Sequence, residues 1–233
     1  MAEKKTARGK KSLDARNGTT PNLKGDAFKN RIIDAALVFA DTHGWSHSTL
    51  GPLATHMGVE VNDIRVHFAD ANAIANAWFS RAQDAMLTTP PKEFSDLSVR
   101  ERIHLLMMRW FDTLAPHQAV AAQILRAKTH YPHLHHWVPA IFSLSRTIQL
   151  LRDAAQLHSK GRRQQIEEIG LTALFLSIIK VWCRDDSPNQ ERTRRTLDRR
   201  LQQIDRNILK FYSCVKFDLS LESQEQCKIK FVH

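Results

Sequence analysis

From Asp26 onward, large apolar side chains return at helical intervals. Phe28, Ile32, Ala36, Phe39 and Ala40 share one face of a first helix, with Asp26 placed as its N-cap. Gly44 ends that helix. Leu50, Leu53, Ala54 and Met57 repeat at i, i+3, i+4 and i+7 behind Ser48 or Thr49, either of which suits an N-cap. Pro52 falls in the first turn of this second helix, where a missing N–H is tolerated. Gly58 supplies a sharp turn, and a third short helix presents Ile64 and Phe68 inward. Asp70 caps a fourth, with Ile74, Trp78, Ala82 and Ala85 along its face.

After a break at Thr88–Pro91 the helical rhythm resumes. Ile103, Leu106, Met107, Trp110 and Phe111 mark one helix, and Pro116 opens another through Ala127. Tyr131–His136 reads as a turn or irregular link, followed by a helix from Val138 to Leu157. Arg163–Arg184 forms a long helix, apolar on most sides toward its C-terminal half. Ser187-Pro188 is a good N-cap and first position for a last helix to about Phe211. There is no βαβ rhythm and no internal repeat. The pattern predicts an all-α protein with a small helical head at 26–88 and a helical body at 92–212. Residues 1–25 are rich in Lys, Gly and Thr with almost no large apolar side chains, and are expected to be disordered. Residues 213–233 alternate at Val215, Phe217, Leu219 and Leu221, a strand pattern with no evident partner, so the structure of this tail stays open.

Composition narrows the function. Apolar residues make up 42% of the 233, enough for an ordinary core. No Gly-rich phosphate loop occurs. The longest apolar stretch, Leu171 to Cys183, is interrupted by Thr172, Ser177 and Lys180 and falls well short of the ~20 residues that span a bilayer. Polar sequence, not an apolar run, follows the basic N-terminus, so no secretory signal is expected. Three widely spaced cysteines (Cys183, Cys214, Cys227) predict a reducing, cytoplasmic setting without disulfides or zinc. The net charge of +10 favours a polyanionic partner. Seven Lys/Arg lie in residues 1–25 (Lys4, Lys5, Arg8, Lys10, Lys11, Arg16, Lys24), against Glu3 and Asp14. Residues 27–79 carry only Lys29, Arg31 and Arg65 against Asp34, Asp41, Glu60, Asp63 and Asp70. The tail is basic and the head slightly acidic.

The head has a more specific register. Arg31-Ile32-Ile33-Asp34-Ala35-Ala36 through Phe39-Ala40, then His43-Gly44-Trp45, resembles the first helix of TetR-family regulators. Thr49-Leu50, Leu53-Ala54 and Met57-Gly58-Val59 resemble that family's second helix and turn. Ile64, His67-Phe68 and Ala73-Ile74 resemble the end of its recognition helix and the start of the fourth. The departures fall on DNA-contacting positions: Glu60 where Ser or Thr is usual, Arg65 where Tyr is usual, and Ala71 where Lys is usual. A second resemblance concerns the body. Val99-Arg100-Glu101-Arg102-Ile103, Leu114-Ala115-Pro116-His117, Val181-Trp182, Asp185-Asp186-Ser187-Pro188 and Thr196-Leu197-Asp198-Arg199-Arg200 look like the TetR-shaped lipid-binding family of ubiquinone biosynthesis.

The first resemblance implies a ligand-responsive homodimeric regulator that binds pseudo-palindromic duplex DNA. The second implies a lipid- or isoprenoid-binding accessory protein that has lost DNA binding. For DNA contact the candidates are Val61, Asn62, Arg65 and His67 on or beside the third helix and Thr49 before the second. Met107, Trp110, Phe111, Trp137 and Phe142 line a pocket for a small apolar effector or are plain core. Leu171, Leu174, Phe175, Ile178 and Trp182 are the expected dimer contacts, because one face of so apolar a helix cannot bury them all within a monomer. His130, His133, His135 and His136 form a short tract that either holds a metal or, more simply, sits at a surface or pocket rim. The Arg192, Arg194, Arg195, Arg199 and Arg200 run reads as a solvated helix face. No Ser/His/Asp or Cys/His constellation is supported by order or spacing, so neither an enzyme nor a cofactor is expected.

Overall fold

The computed structural model describes the backbone of residues 23–88, 92–130 and 134–206, with the side chains of 23–24, 92–93 and 128–143 outside that description. The expectations for the basic tail before residue 23, the 213–233 tail, the four clustered histidines, Trp137 and Phe142 lie outside the described residues. The head comprises α1 (Leu23–His43), α2 (Leu50–Met57), α3 (Val61–Arg65) and α4 (Ala71–Leu87). The body comprises α5 (Val99–Leu114), α6 (Gln118–His130), α7 (Leu134–Ala154), α8 (Arg162–Trp182) and α9 (191–206). Among the described residues there is no strand, and no helix is long and apolar enough to cross a membrane.

α1 begins at Leu23, ahead of the expected Asp26 cap. Asp26 instead lies inside the first turn, where the partial positive charge of the helix end favours a carboxylate. Gly44 closes α1 at φ +82°, a conformation strained for residues with a Cβ. Thr49 takes the N-cap position of α2 but its side chain makes no cap bond, and Ser48 is buried with its hydroxyl on the Gly44 carbonyl. Gly58 turns the chain at φ +66° and returns its N–H to the Ala54 and Thr55 carbonyls. Asp70 caps α4 as expected, accepting from the Ala73 N–H at 2.8 Å.

The face expected for α4 is buried at Ile74, Trp78 and Ala82, yet Ala75, Phe79 and Met86 are buried as well. α4 is covered on two sides because it packs on α1 and on α5, and one apolar core runs from Ile32 in the head to Leu201 in α9. Polar contacts reinforce this junction. The Trp45 N–H donates to Gln123 Oε1 at 2.8 Å, His117 Nδ1 lies 2.6 Å from Asp41, and Gln83 donates to Thr147 Oγ1 at 2.6 Å.

In the body, α7 starts at Leu134, before the expected Val138. Ser187-Pro188 opens a single 3-10 turn rather than the last helix, because Asn189 and Gln190 adopt positive φ and break the run. α9 follows from 191 and is tied down by Asp185. This buried carboxylate accepts from the N–H groups of Ser187 (3.0 Å) and Thr193 (2.7 Å) and from both of their hydroxyls.

Candidate nucleic-acid interface

The short α3 is held from beneath by Ile64 and Phe68, both buried in the same apolar core as Ile32, Ala36 and Leu53. Val61, Asn62, Asp63, Arg65 and Val66 are all exposed along α3 and at its end, with Asn62, Arg65 and Val66 turned away from Ile64, and Val61 at the helix start. Arg65 and Asn62 are free to reach a groove, and Thr49 is exposed at the start of α2. His67 is different. It is half-buried, with its ring edge-on to Phe28 at 5.4 Å, so the structure gives it a packing role between α1 and the end of α3. The Arg31 guanidinium lies over that same Phe28 ring at 5.9 Å, which brings a cation of α1 to the side of α3. Sequence reasoning passed over Arg31 and Val66, since neither changes the helical pattern.

The head's acidic excess is largely structural. Glu60 and Asp63 form a reciprocal capping box at the start of α3, in which Asp63 accepts the Glu60 N–H at 3.2 Å and the Glu60 side chain faces the Asp63 N–H. Asp70 caps α4, Asp34 is paired with Arg81 at 2.5 Å, and Asp41 is held by His117. Asp34 and Asp41 thus have a basic partner, whereas Glu60, Asp63 and Asp70 keep an exposed charge in their capping roles.

No family model and no curated protein matches the chain. Solved structures do. The crystal structure of the TetR transcriptional regulator from Nitrosomonas europaea ATCC 19718 is 34% identical, with a TM-score of 0.68 over 76% of this chain and 98% of that one. The chain belongs to the TetR family of transcriptional regulators. PfmR, a TetR family transcriptional regulator from Thermus thermophilus, is 16% identical with a TM-score of 0.49 over 74% of this chain and 97% of that one.

In this TetR-family chain the remaining expected site residues sort unevenly. Met107, Trp110 and Phe111 are buried in α5, where Trp110 and Phe111 make stacked, tilted and edge-on ring contacts with Phe79, Phe175 and Trp182 at centroid distances of 5.0–6.1 Å. The indole N–H of Trp110 is buried and has no hydrogen-bond partner among the described residues. Leu171, Leu174, Phe175, Ile178 and Trp182 are all buried within the single chain, which corrects their assignment as dimer contacts. α8 carries two apolar stripes, and these five form the inward one. The outward stripe is Ile166, Ile169, Ala173 and Leu176, with Ile166 and Ile169 each 70% exposed and Leu176 44% exposed. Its spacing of three and four residues is that of a helix-pairing seam. Beside it, Lys180, Arg184, Arg192 and Arg200 rim a groove of about 420 Å³ between α8 and α9. Of the α9 arginines expected to form a solvated face, Arg194 pairs with Asp112 and Arg195 with Glu191. The residues behind the second resemblance serve as fasteners: Trp182 Nε1 donates to Gln190 Oε1 at 2.7 Å, and Asp185 anchors α9. Among the described residues no group of His, Cys, Asp and Glu is placed to hold a metal.

Proposed function

We propose that the chain is a ligand-responsive regulator that binds pseudo-palindromic duplex DNA as a homodimer, with α3 in the major groove. The observation that carries this is the outward arc of α3, where Asn62 and Arg65 stand clear of the head's own hydrogen bonds on a rigid, fully cored support. An amide and a guanidinium are the side chains that pair in bidentate fashion with adenine and guanine edges. Arg31 and Thr49 flank the arc as phosphate contacts, and a two-fold axis puts half-sites about one helical turn (~34 Å) or a multiple apart. Arg65→Ala should weaken specific binding roughly ten- to a hundredfold while leaving the melting temperature within a degree or two, because the side chain is exposed. Fluorescence anisotropy on DNA upstream of the chain's own coding sequence measures this, and an unchanged affinity would remove Arg65 from the interface.

The effector site belongs to the body. The Trp110 N–H, buried among aromatics and without a partner among the described residues, supports an apolar ligand bearing one hydrogen-bond acceptor. Such a ligand regulates only by favouring one arrangement of the two heads over another. Mass spectrometry of protein denatured after purification should release a small molecule of this kind, and Trp110→Phe should lower its occupancy.

A further inference from the structure

We propose that sequence preference in this regulator is carried, alongside Asn62 and Arg65, by two valines, Val61 and Val66, seated on thymine methyl groups in the major groove. The inference rests on the DNA-binding reading above and says what that site recognises. Val66 is the most exposed large apolar side chain among the described residues, at 80%, and Val61 is 37% exposed. A single exposed valine needs no explanation. Here two of them, one opening α3 and one just past its end, stand exposed with Asn62 and Arg65 on the element offered to DNA, so the exposed positions there that are not acidic are equally apolar and polar. Neither valine has a structural duty there, since Ile64 and Phe68 fill the core beneath α3.

The polar positions of that element carry one cation, and Glu60 stands exposed at its start. Phosphate attraction from α3 is correspondingly small, so discrimination has to come from base edges. The major groove presents one apolar group on its unmodified base pairs, the C5-methyl of thymine. β-branched side chains suit that contact because their χ1 is already restricted and little rotamer freedom is lost on docking. Val66 is fixed further by its N–H bond to the Asn62 carbonyl at 3.1 Å. Each methyl contact is expected to be worth about fourfold in affinity. Two per head in a two-fold complex multiply to roughly 250-fold.

The test uses the full-length chain and a random library of duplexes about three helical turns long, amplified in parallel with thymine or with uracil, which lacks only the methyl. The thymine library should yield a two-fold motif with thymine fixed at two positions in each half-site. Resynthesis with uracil at those positions should weaken binding roughly 250-fold, and uracil at other positions should leave it unchanged. Val66→Ala should bind equally to thymine and uracil at one of the two positions, and its exposure makes folding insensitive to the change. Equal binding of the two duplexes, or a selected motif without fixed thymines, would overturn the proposal while salt-sensitive binding of both leaves the DNA-binding reading standing. Absence of binding to any duplex would overturn both.

Discussion

The double variant Ile169→Asp, Leu176→Asp should sediment as a folded monomer at micromolar concentration and lose specific DNA affinity by about a hundredfold or more. Both side chains are exposed in the single chain, so charging them leaves the core of each protomer untouched. They lie on the outward stripe of α8 that we propose pairs across the two-fold axis. A monomer engages one half-site at a time and forfeits the effective-concentration gain of linked heads, commonly about 10²–10⁴. Ile178→Asp should behave differently. Ile178 is fully buried, so the charge enters the core and the variant should unfold rather than dissociate. The same face predicts an unusual salt response. Lys180, Arg184, Arg192 and Arg200 have no ion-pair partner among the described residues, and a two-fold axis would bring two such sets together. Screening that repulsion should tighten the dimer as salt rises, whereas DNA binding weakens. Sedimentation of the wild type at two ionic strengths reads the sign, and a double variant that remains dimeric would place the interface elsewhere.

Asp185→Ala should lower stability by about 3 kcal/mol, roughly 6–10 °C in melting temperature. The carboxylate is the common acceptor for two backbone N–H groups and two hydroxyls of Ser187 and Thr193, and its removal leaves those donors without their partner. It is also the tertiary cap of α9, so that helix should fray first. The effect carries a pH signature. Burial pushes the Asp185 carboxyl up, but the hydrogen bonds from Ser187 and Thr193 outweigh it and hold the group below its ordinary value of 3.8. Folding therefore favours the charged form. Its contribution is complete above that ordinary value and is lost as pH falls through the lower, folded-state value. The gap in melting temperature between wild type and Asp185→Ala should be constant near neutral pH and narrow only in acid. Asp185→Asn should lie between the two, since its amide oxygen keeps part of the acceptor capacity. A gap that stays constant into acid would mean that the charge of Asp185 contributes nothing.

Much of the head was legible because its signals are local. The spacing of Leu53, Ala54 and Met57 and the glycines at 44 and 58 report backbone periodicity and positive φ, and both survive folding unchanged. The stripe of α8 that faces inward was not legible. Leu174 and Ile178 differ from Ile169 and Leu176 only in angle around the helix, and periodicity does not say which stripe meets the rest of the chain. The start of α9 was misplaced for a related reason. Ser187-Pro188 is a sound local cap signal, but the acceptor that anchors the helix is Asp185, on the preceding turn, acting across the kink at Asn189 and Gln190. The acids of the head misled as formal charges. Asp63 and Asp70 are caps, while Asp34 and Asp41 are committed to Arg81 and His117, partners distant in sequence.

Binding of duplex DNA through the head is read out by anisotropy titration of the full-length protein on DNA upstream of its own coding sequence. The titration runs from about 50 to 200 mM salt, with and without residues 1–22, a truncation that leaves α1 whole and removes six Lys/Arg. Saturable binding is expected at low salt and should weaken roughly 40- to 150-fold over this range, as for about three or four neutralised phosphates. Truncation should weaken it further and flatten the log–log slope by about one unit for every phosphate no longer neutralised. No salt-sensitive binding at low ionic strength, together with a lipid or isoprenoid that co-purifies with the body, would contradict the account and favour the lipid-binding alternative.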